Sequence, residues 1–114
     1  MNKALIKLLV TMTLCAGSIL ALPSTKAADL KAGQRAFDAN SCSSCHELSV
    51  STIGPSLKDI ARRYKGQPVE RELAHRIRAG SAGRWGGVPH PAYEGLDEAD
   101  ALIIAMWILG GTPR

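Results

Sequence analysis

Cys42-Ser43-Ser44-Cys45-His46 is the run that most narrows what this chain can become. Two cysteines two residues apart, with histidine directly after, admit several chemistries. The thiols can add across the two vinyl groups of a haem, leaving the adjacent imidazole beneath the iron as proximal ligand. They can form a redox-active pair, but such pairs sit in a βαβ chain, and no run of alternating apolar residues precedes Cys42. They can supply part of a zinc site, which needs a fourth ligand and usually a second paired motif that is not visible in the sequence. A disulfide at this spacing closes too short a loop to stabilise much.

The first 27 residues help to choose among these. Lys3 and Lys7 introduce an apolar core from Leu8 to Leu22, followed by Pro23, Ser24, Thr25, Lys26 and Ala27. A charged start, an apolar core and a small residue at the cut describe a secretory signal. Cleavage after Ala27 puts Thr25 and Ala27 at the two positions that must be small, whereas a cut after Ala28 would put Lys26 there. The expected division is therefore a removed signal, 1–27, and a domain over 28–114. A membrane anchor is the rival reading, but a span wants about 20 unbroken apolar residues. Thr11, Thr13, Gly17 and Ser18 interrupt this shorter core. Cys15 lies within the signal behind Leu14, not behind the small residue of a lipoprotein processing site. In an exported chain the C-x-x-C-H run reads as the attachment site of one covalent haem c, with the periplasm as its compartment.

Removal of the signal changes what the charge means. The full chain has 14 basic and 10 acidic residues, a formal +4 that suggests nucleic acid or an anionic membrane. Lys3, Lys7 and Lys26 leave with the signal and no acid does, so 11 basic residues face 10 acidic ones. The net of +1 is met by the formal −1 of ferric haem with two ionised propionates. Neither nucleic acid nor stable membrane insertion is then an expected partner. A domain this small is marginal by surface-to-volume scaling and is often stapled by a cofactor.

The pattern predicts helices and no strands. Asp29 can cap a helix running to about Asn40, with Leu30, Gly33 and Phe37 on one face. Ser56 caps a second from Leu57 to Tyr64, with Pro55 holding the turn before it. A third covers Val69 to Ala79, behind Pro68 and ended by Gly80. The last spans Asp97 to Leu109, with Asp97 as cap, Glu98 and Asp100 in its first turn, and Gly110 beyond its end. Between the last two lies the stretch 80–95, with five glycines and two prolines, too loose for an element of its own and long enough to be functional.

Along most of its expected mature length the chain resembles the short bacterial class I cytochromes c. The matching pieces are the early helix with Gly33 and Phe37, the Cys42–His46 run, Ile53-Gly54-Pro55-Ser56-Leu57, Gly80-Ser81-Ala82-Gly83-Arg84-Trp85-Gly86, and a closing helix with Trp107. The resemblance implies an all-α fold of four to five helices around one covalently attached haem. It implies that Cys42 and Cys45 hold the haem by thioethers and that His46 ligates iron. The Pro55 carbonyl would accept a hydrogen bond from the other nitrogen of His46, and the Trp85 indole would donate to a propionate. The alternative for Trp85 is a core residue with its N–H turned outward. Gly33 and Phe37 would pack against the last helix near Trp107.

One position departs from that family. Its loop before the last helix normally reads proline, methionine, proline, with the sulfur as sixth ligand, and here it reads Pro89-His90-Pro91. One possible ligand replaces another in a frame of prolines, so His90 is the expected distal ligand of a bis-histidine haem. Met106 and His75 are the competing ligands: Met106 lies on a different turn from the one that Trp107 would bury. His75 lies among Arg71, Glu72, Arg76 and Arg78 on a helix face expected to be solvated.

A second imidazole donates more strongly to iron than thioether sulfur does, favours the ferric state and lowers the potential by tenths of a volt. The expected function is a low-potential shuttle of single electrons between redox-partner proteins, as a monomer or a small subunit of a redox complex. No acid–base or nucleophile constellation points to an enzyme, and Glu47 is a lone carboxylate. The alternative is a ligand-binding or sensing haem protein whose distal His90 can be displaced. Residues 58–84 carry eight basic side chains against three acidic, and Glu94, Asp97, Glu98 and Asp100 follow. The basic segment reads either as a docking or propionate-facing surface or as ordinary solvated helix faces.

Overall fold

The computed structural model describes residues 25–112. The expected signal therefore lies outside the described residues except for 25–27. Four helices follow in order: α1 (Thr25–Ala39), α2 (Leu57–Arg63), α3 (Glu70–Ala79) and α4 (Glu98–Leu109), with a single 3-10 turn at Cys42–Ser44. Among the described residues the extended pairing amounts to two isolated bridges, His46 with Ser51 and Ser81 with His90.

The start of α1 corrects one expectation. Asp29 is not a cap but lies inside the helix, which begins at Thr25. Lys26, Ala27 and Ala28 are good helix formers with no breaker among them, so the uncut chain continues the helix upstream. The other caps fall where expected. Ser56 Oγ accepts from the Asp59 N–H at 3.1 Å, and Asp97 Oδ1 accepts from the Ala99 N–H at 2.7 Å. Helix α3 begins one residue later than expected and ends at Gly80.

Helix α4 is the centre of the domain because its sequence leaves it little polar face. Ala101, Ile104, Ala105, Trp107 and Ile108 are buried, and α1, α2 and α3 all pack on it. Gly33 permits the closest of these crossings: a methyl group there would lie 2.4 Å from the Ile103 carbonyl oxygen and 2.5 Å from Trp107 Cβ. One turn on, the Phe37 and Trp107 rings meet with centroids 5.2 Å apart and planes tilted by 54°. Leu57, Ile60, Tyr64, Ala74 and Leu96 complete the core. Large aromatics dominate such a small interior, each burying about 150–250 Å².

One further expectation is corrected here. Helix α3 does not present all its arginines to solvent: the Arg76 side chain is 13% exposed and donates to the Tyr64 hydroxyl at 3.1 Å. Arg78 donates through Nε to the Leu96 carbonyl at 2.9 Å, tying α3 to the residues before α4. Long guanidinium stems cover apolar surface while their heads find fixed acceptors, which helical spacing alone does not reveal. The stretch 80–95 forms no helix or strand of its own, as expected, but it is pinned at its neck. Ser81 and His90 exchange both backbone hydrogen bonds, at 3.1 and 2.7 Å, and close the neck of a loop whose tip is residues 82–89.

Candidate functional site

The Cys42–His46 run folds as a tight turn because Ser41 takes a left-handed conformation, with φ of 57°. The carbonyl of Cys42 then accepts the N–H groups of Cys45 and His46 at 3.2 and 3.0 Å. This compact turn brings Cys42, Cys45 and His46 to the lining of one open cleft. Both cysteines are half-buried free thiols. Burial pushes the Cys42 thiol above its ordinary range, outweighing the backbone hydrogen bond that draws it down. A thiol of a redox pair is shifted the other way, toward thiolate.

His46 is held by its own neighbours. Its Nδ1 lies 2.7 Å from the Pro55 carbonyl oxygen. A carbonyl can only accept, so Nδ1 carries the proton and Nε2 keeps its lone pair. The Gly54 N–H donates to the Cys45 carbonyl at 2.9 Å, drawing the Pro55 turn over the ring. A side chain at Gly54 would meet His46 Cε1 at 2.6 Å, so only glycine fits there.

His90 is held by the same logic from the other side. Its backbone is pinned to Ser81 at the neck of the loop, and its Nδ1 lies 2.8 Å from the Pro91 carbonyl oxygen. Again the nitrogen facing a carbonyl must carry the proton, which leaves Nε2 as the free donor atom. Burial is the main cause that holds the His90 pKa below its ordinary value and favours the neutral ring; His46 adds to this and the Pro91 bond opposes it.

The two rings face one another with centroids 6.1 Å apart and planes 30° from parallel. Imidazoles bound on opposite sides of one metal, with nitrogens about 2.0 Å from it and ring centres about 1.1 Å behind them, have centroids about 6.2 Å apart. The separation fits a metal between the rings. Met106 and His75 are both exposed and neither lines the cleft.

The remaining walls suit a flat apolar group with polar ends. Leu57, Ile60, Ile104 and Ile108 supply apolar lining, and Tyr64, Arg76, Arg84 and Trp85 bring donors and positive charge. Trp85 is not a core residue: it is 37% exposed, stands edge-on to Tyr64 at 6.5 Å, and has the Arg63 guanidinium 4.4 Å from its ring centre. Arg63 also donates to the Arg84 carbonyl at 2.6 Å, securing the loop tip to α2. The arginines at this rim belong to the basic segment 58–84, which the sequence left open between a docking or propionate-facing surface and ordinary solvated helix faces. Glu47, in contrast, is exposed as expected.

The family model for cytochrome c matches residues 30–112. The chain belongs to the cytochrome c family. Cytochrome c-552 of Nitrosomonas europaea is 41% identical over 71 residues, covering 61% of this chain and 69% of that protein. Cytochrome c-551 of Stutzerimonas stutzeri is 35% identical over 104 residues, covering 90% and 95% of the two chains. The crystal structure of wild-type Nitrosomonas europaea cytochrome c552 superposes with a TM-score of 0.65 at 37% identity, over 68% of this chain and 96% of that one. This cytochrome c accordingly takes one covalently attached haem c, and its fold is that of the class I mono-haem proteins. Paired thiols, facing imidazoles and an apolar cleft with a cationic rim are a donor set that fits that group.

Proposed function

We propose that this cytochrome c is a low-potential periplasmic electron shuttle with bis-histidine ligation. The observation that carries the reading is the facing pair His46 and His90, each with Nδ1 committed to a proline carbonyl and Nε2 left to ligate. In this reading Cys42 and Cys45 would hold the haem by two thioethers, His46 and His90 would ligate its iron, and Trp85 would donate to a propionate. Bound haem supplies the reversible ferric/ferrous couple; the protein supplies its position and electrostatics. The Pro55 and Pro91 carbonyls orient the two rings and raise their basicity, which favours the ferric state. Leu57, Ile60, Ile104 and Ile108 keep water from the interior of the cleft.

Residues 1–27 are removed on export, which leaves α1 to begin near Asp29. Among the described residues no helix is long and apolar enough to cross a membrane. Ile53 and Val88, 62% and 61% exposed, line the cleft with Arg84 and provide an apolar contact for a redox-partner protein. The sensing alternative requires His90 to leave its place, and the two backbone bonds to Ser81 oppose that.

The test is the spectrum and redox titration of the mature holoprotein. Low-spin spectra in both states, without a sulfur-to-iron band at the red edge of the ferric form, and a midpoint potential near or below zero are expected. The sulfur band, or a strongly positive potential, overturns the assignment of His90.

A further inference from the structure

The peptide unit between Pro55 and Ser56 is hydrogen-bonded at both ends. Its carbonyl oxygen accepts from His46 Nδ1 at 2.7 Å, and its N–H donates to Ser51 Oγ at 3.1 Å. The Ser51 hydroxyl in turn donates to Asp59 Oδ2 at 3.3 Å. The same carboxylate oxygen accepts from Ser56 Oγ at 2.7 Å, while Ser56 Oγ accepts the Asp59 N–H. Ser56 is 1% exposed and anchors the arrangement from the interior, while Ser51 is exposed and the Asp59 side chain is 34% exposed.

The geometry is a capping box extended by one residue. In the usual box a glutamate at the third helical position reaches back to the N–H of the cap. Asp59 occupies that position with one methylene fewer, and Ser51 spans the remaining gap to the Ser56 N–H. The consequence lies at the far side of the same peptide. A hydroxyl that donates to a carboxylate becomes a stronger acceptor, and a peptide N–H that donates to it polarises its own carbonyl. That carbonyl is the one facing His46.

We propose that Asp59 is a positioning residue for His46, acting through Ser51 and the Pro55–Ser56 peptide. It fixes the orientation of the imidazole and strengthens its Nδ1–H bond, making Nε2 a better donor to ferric iron. The inference rests on His46 being the proximal haem ligand. A cap alone would stabilise α2 and leave the ring and the potential untouched; a relay moves both.

The test uses the haem-loaded protein and compares Ser51→Ala, Asp59→Ala and Asp59→Asn with the wild type. Solvent exchange of the His46 Nδ1 proton is followed by NMR in the ferrous state, beside the midpoint potential. Ser51→Ala preserves every charge and removes the relay, so exchange about tenfold faster and a more positive potential are expected. Asp59→Ala is expected to do the same, and Asp59→Asn, which keeps an acceptor oxygen, to recover most of the slow exchange. Unchanged exchange and potential in both alanine variants overturn the relay. If the wild type then still shows two nitrogen ligands on iron, the bis-histidine function survives that failure. A wild type with no His46 ligand signature overturns both.

Discussion

His46 and His90 face one another across the cleft at 6.1 Å, and each ring is fixed by a hydrogen bond from Nδ1 to a proline carbonyl. The two prolines are not equivalent in origin. Pro55 is nine residues from the imidazole it orients and reaches it through the turn at Gly54, whereas Pro91 is adjacent to His90. One imidazole is thus placed by the folding of its own segment, and the other by the closing of a loop onto the end of α3.

His90→Met tests the ligand identity directly. Thioether sulfur stabilises the ferrous state, so the variant is expected to raise the midpoint potential by a few tenths of a volt. The ferric spectrum should gain a sulfur-to-iron band that is not expected in the wild type. An unchanged potential and spectrum would show that residue 90 is not a ligand.

Carbon monoxide distinguishes a fixed ligand from a displaceable one. The ferrous wild-type protein is expected to bind it slowly and incompletely, because Ser81 holds the His90 backbone at both its N–H and its carbonyl. His90→Ala should bind it rapidly and fully. Stopped-flow mixing measures both, and rapid binding to the wild type would favour the sensing function.

Gly33→Ala is expected to destabilise the domain by about 1–3 kcal/mol through overpacking. The added methyl would lie 2.4 Å from the Ile103 carbonyl, a backbone atom that cannot rotate aside. Phe37→Ala, which opens a cavity against Trp107, should cost about 3–5 kcal/mol. Denaturant titration of the holoprotein gives both values.

Asp59 makes the stability sensitive to acid. Its hydrogen bond from Ser56 is the main reason that its pKa lies below the ordinary carboxylate value, with Arg62 and Ser51 adding to the effect and desolvation opposing it. A group whose folded pKa is depressed contributes stability above its unfolded pKa and loses it as pH falls through the folded one. The contribution of Asp59 should therefore be complete above pH about 5 and fade below pH about 4. Thermal melts of wild type and Asp59→Asn across that interval are expected to converge as the pH drops.

The basic rim predicts salt-dependent encounters. Arg63 lies over Trp85 and donates to the Arg84 carbonyl, and Arg84 lines the cleft together with the exposed Val88. Electron transfer with an acidic partner protein should slow as ionic strength rises, and Arg63→Glu should weaken that dependence. A flat salt profile in the wild type removes steering from the account.

Helices α2 and α4 were legible because their signals are local. Ser56 and Asp97 satisfy N–H groups within three residues of themselves, and Ala101, Ile104, Ala105 and Ile108 repeat at helical spacing. The limits of such reading appear at Asp29, which has the chemistry of a cap but lies within a helix that continues upstream. They appear again at Arg76, which occupies a charged helix but turns toward the cleft to reach Tyr64.

The sequence alone determined the cofactor. Cys42, Cys45 and His46 are contiguous, so the chemistry they permit follows from covalent spacing, and His90 is set between two prolines. Tertiary structure decided how those groups meet. The 6.1 Å between His46 and His90, the closed neck at Ser81, and the path from Asp59 through Ser51 to the Pro55 carbonyl all join residues that are distant along the chain or belong to different elements. Hydrogen bonds depend on distance and angle in space, and no local pattern of residues encodes those before the helices have packed.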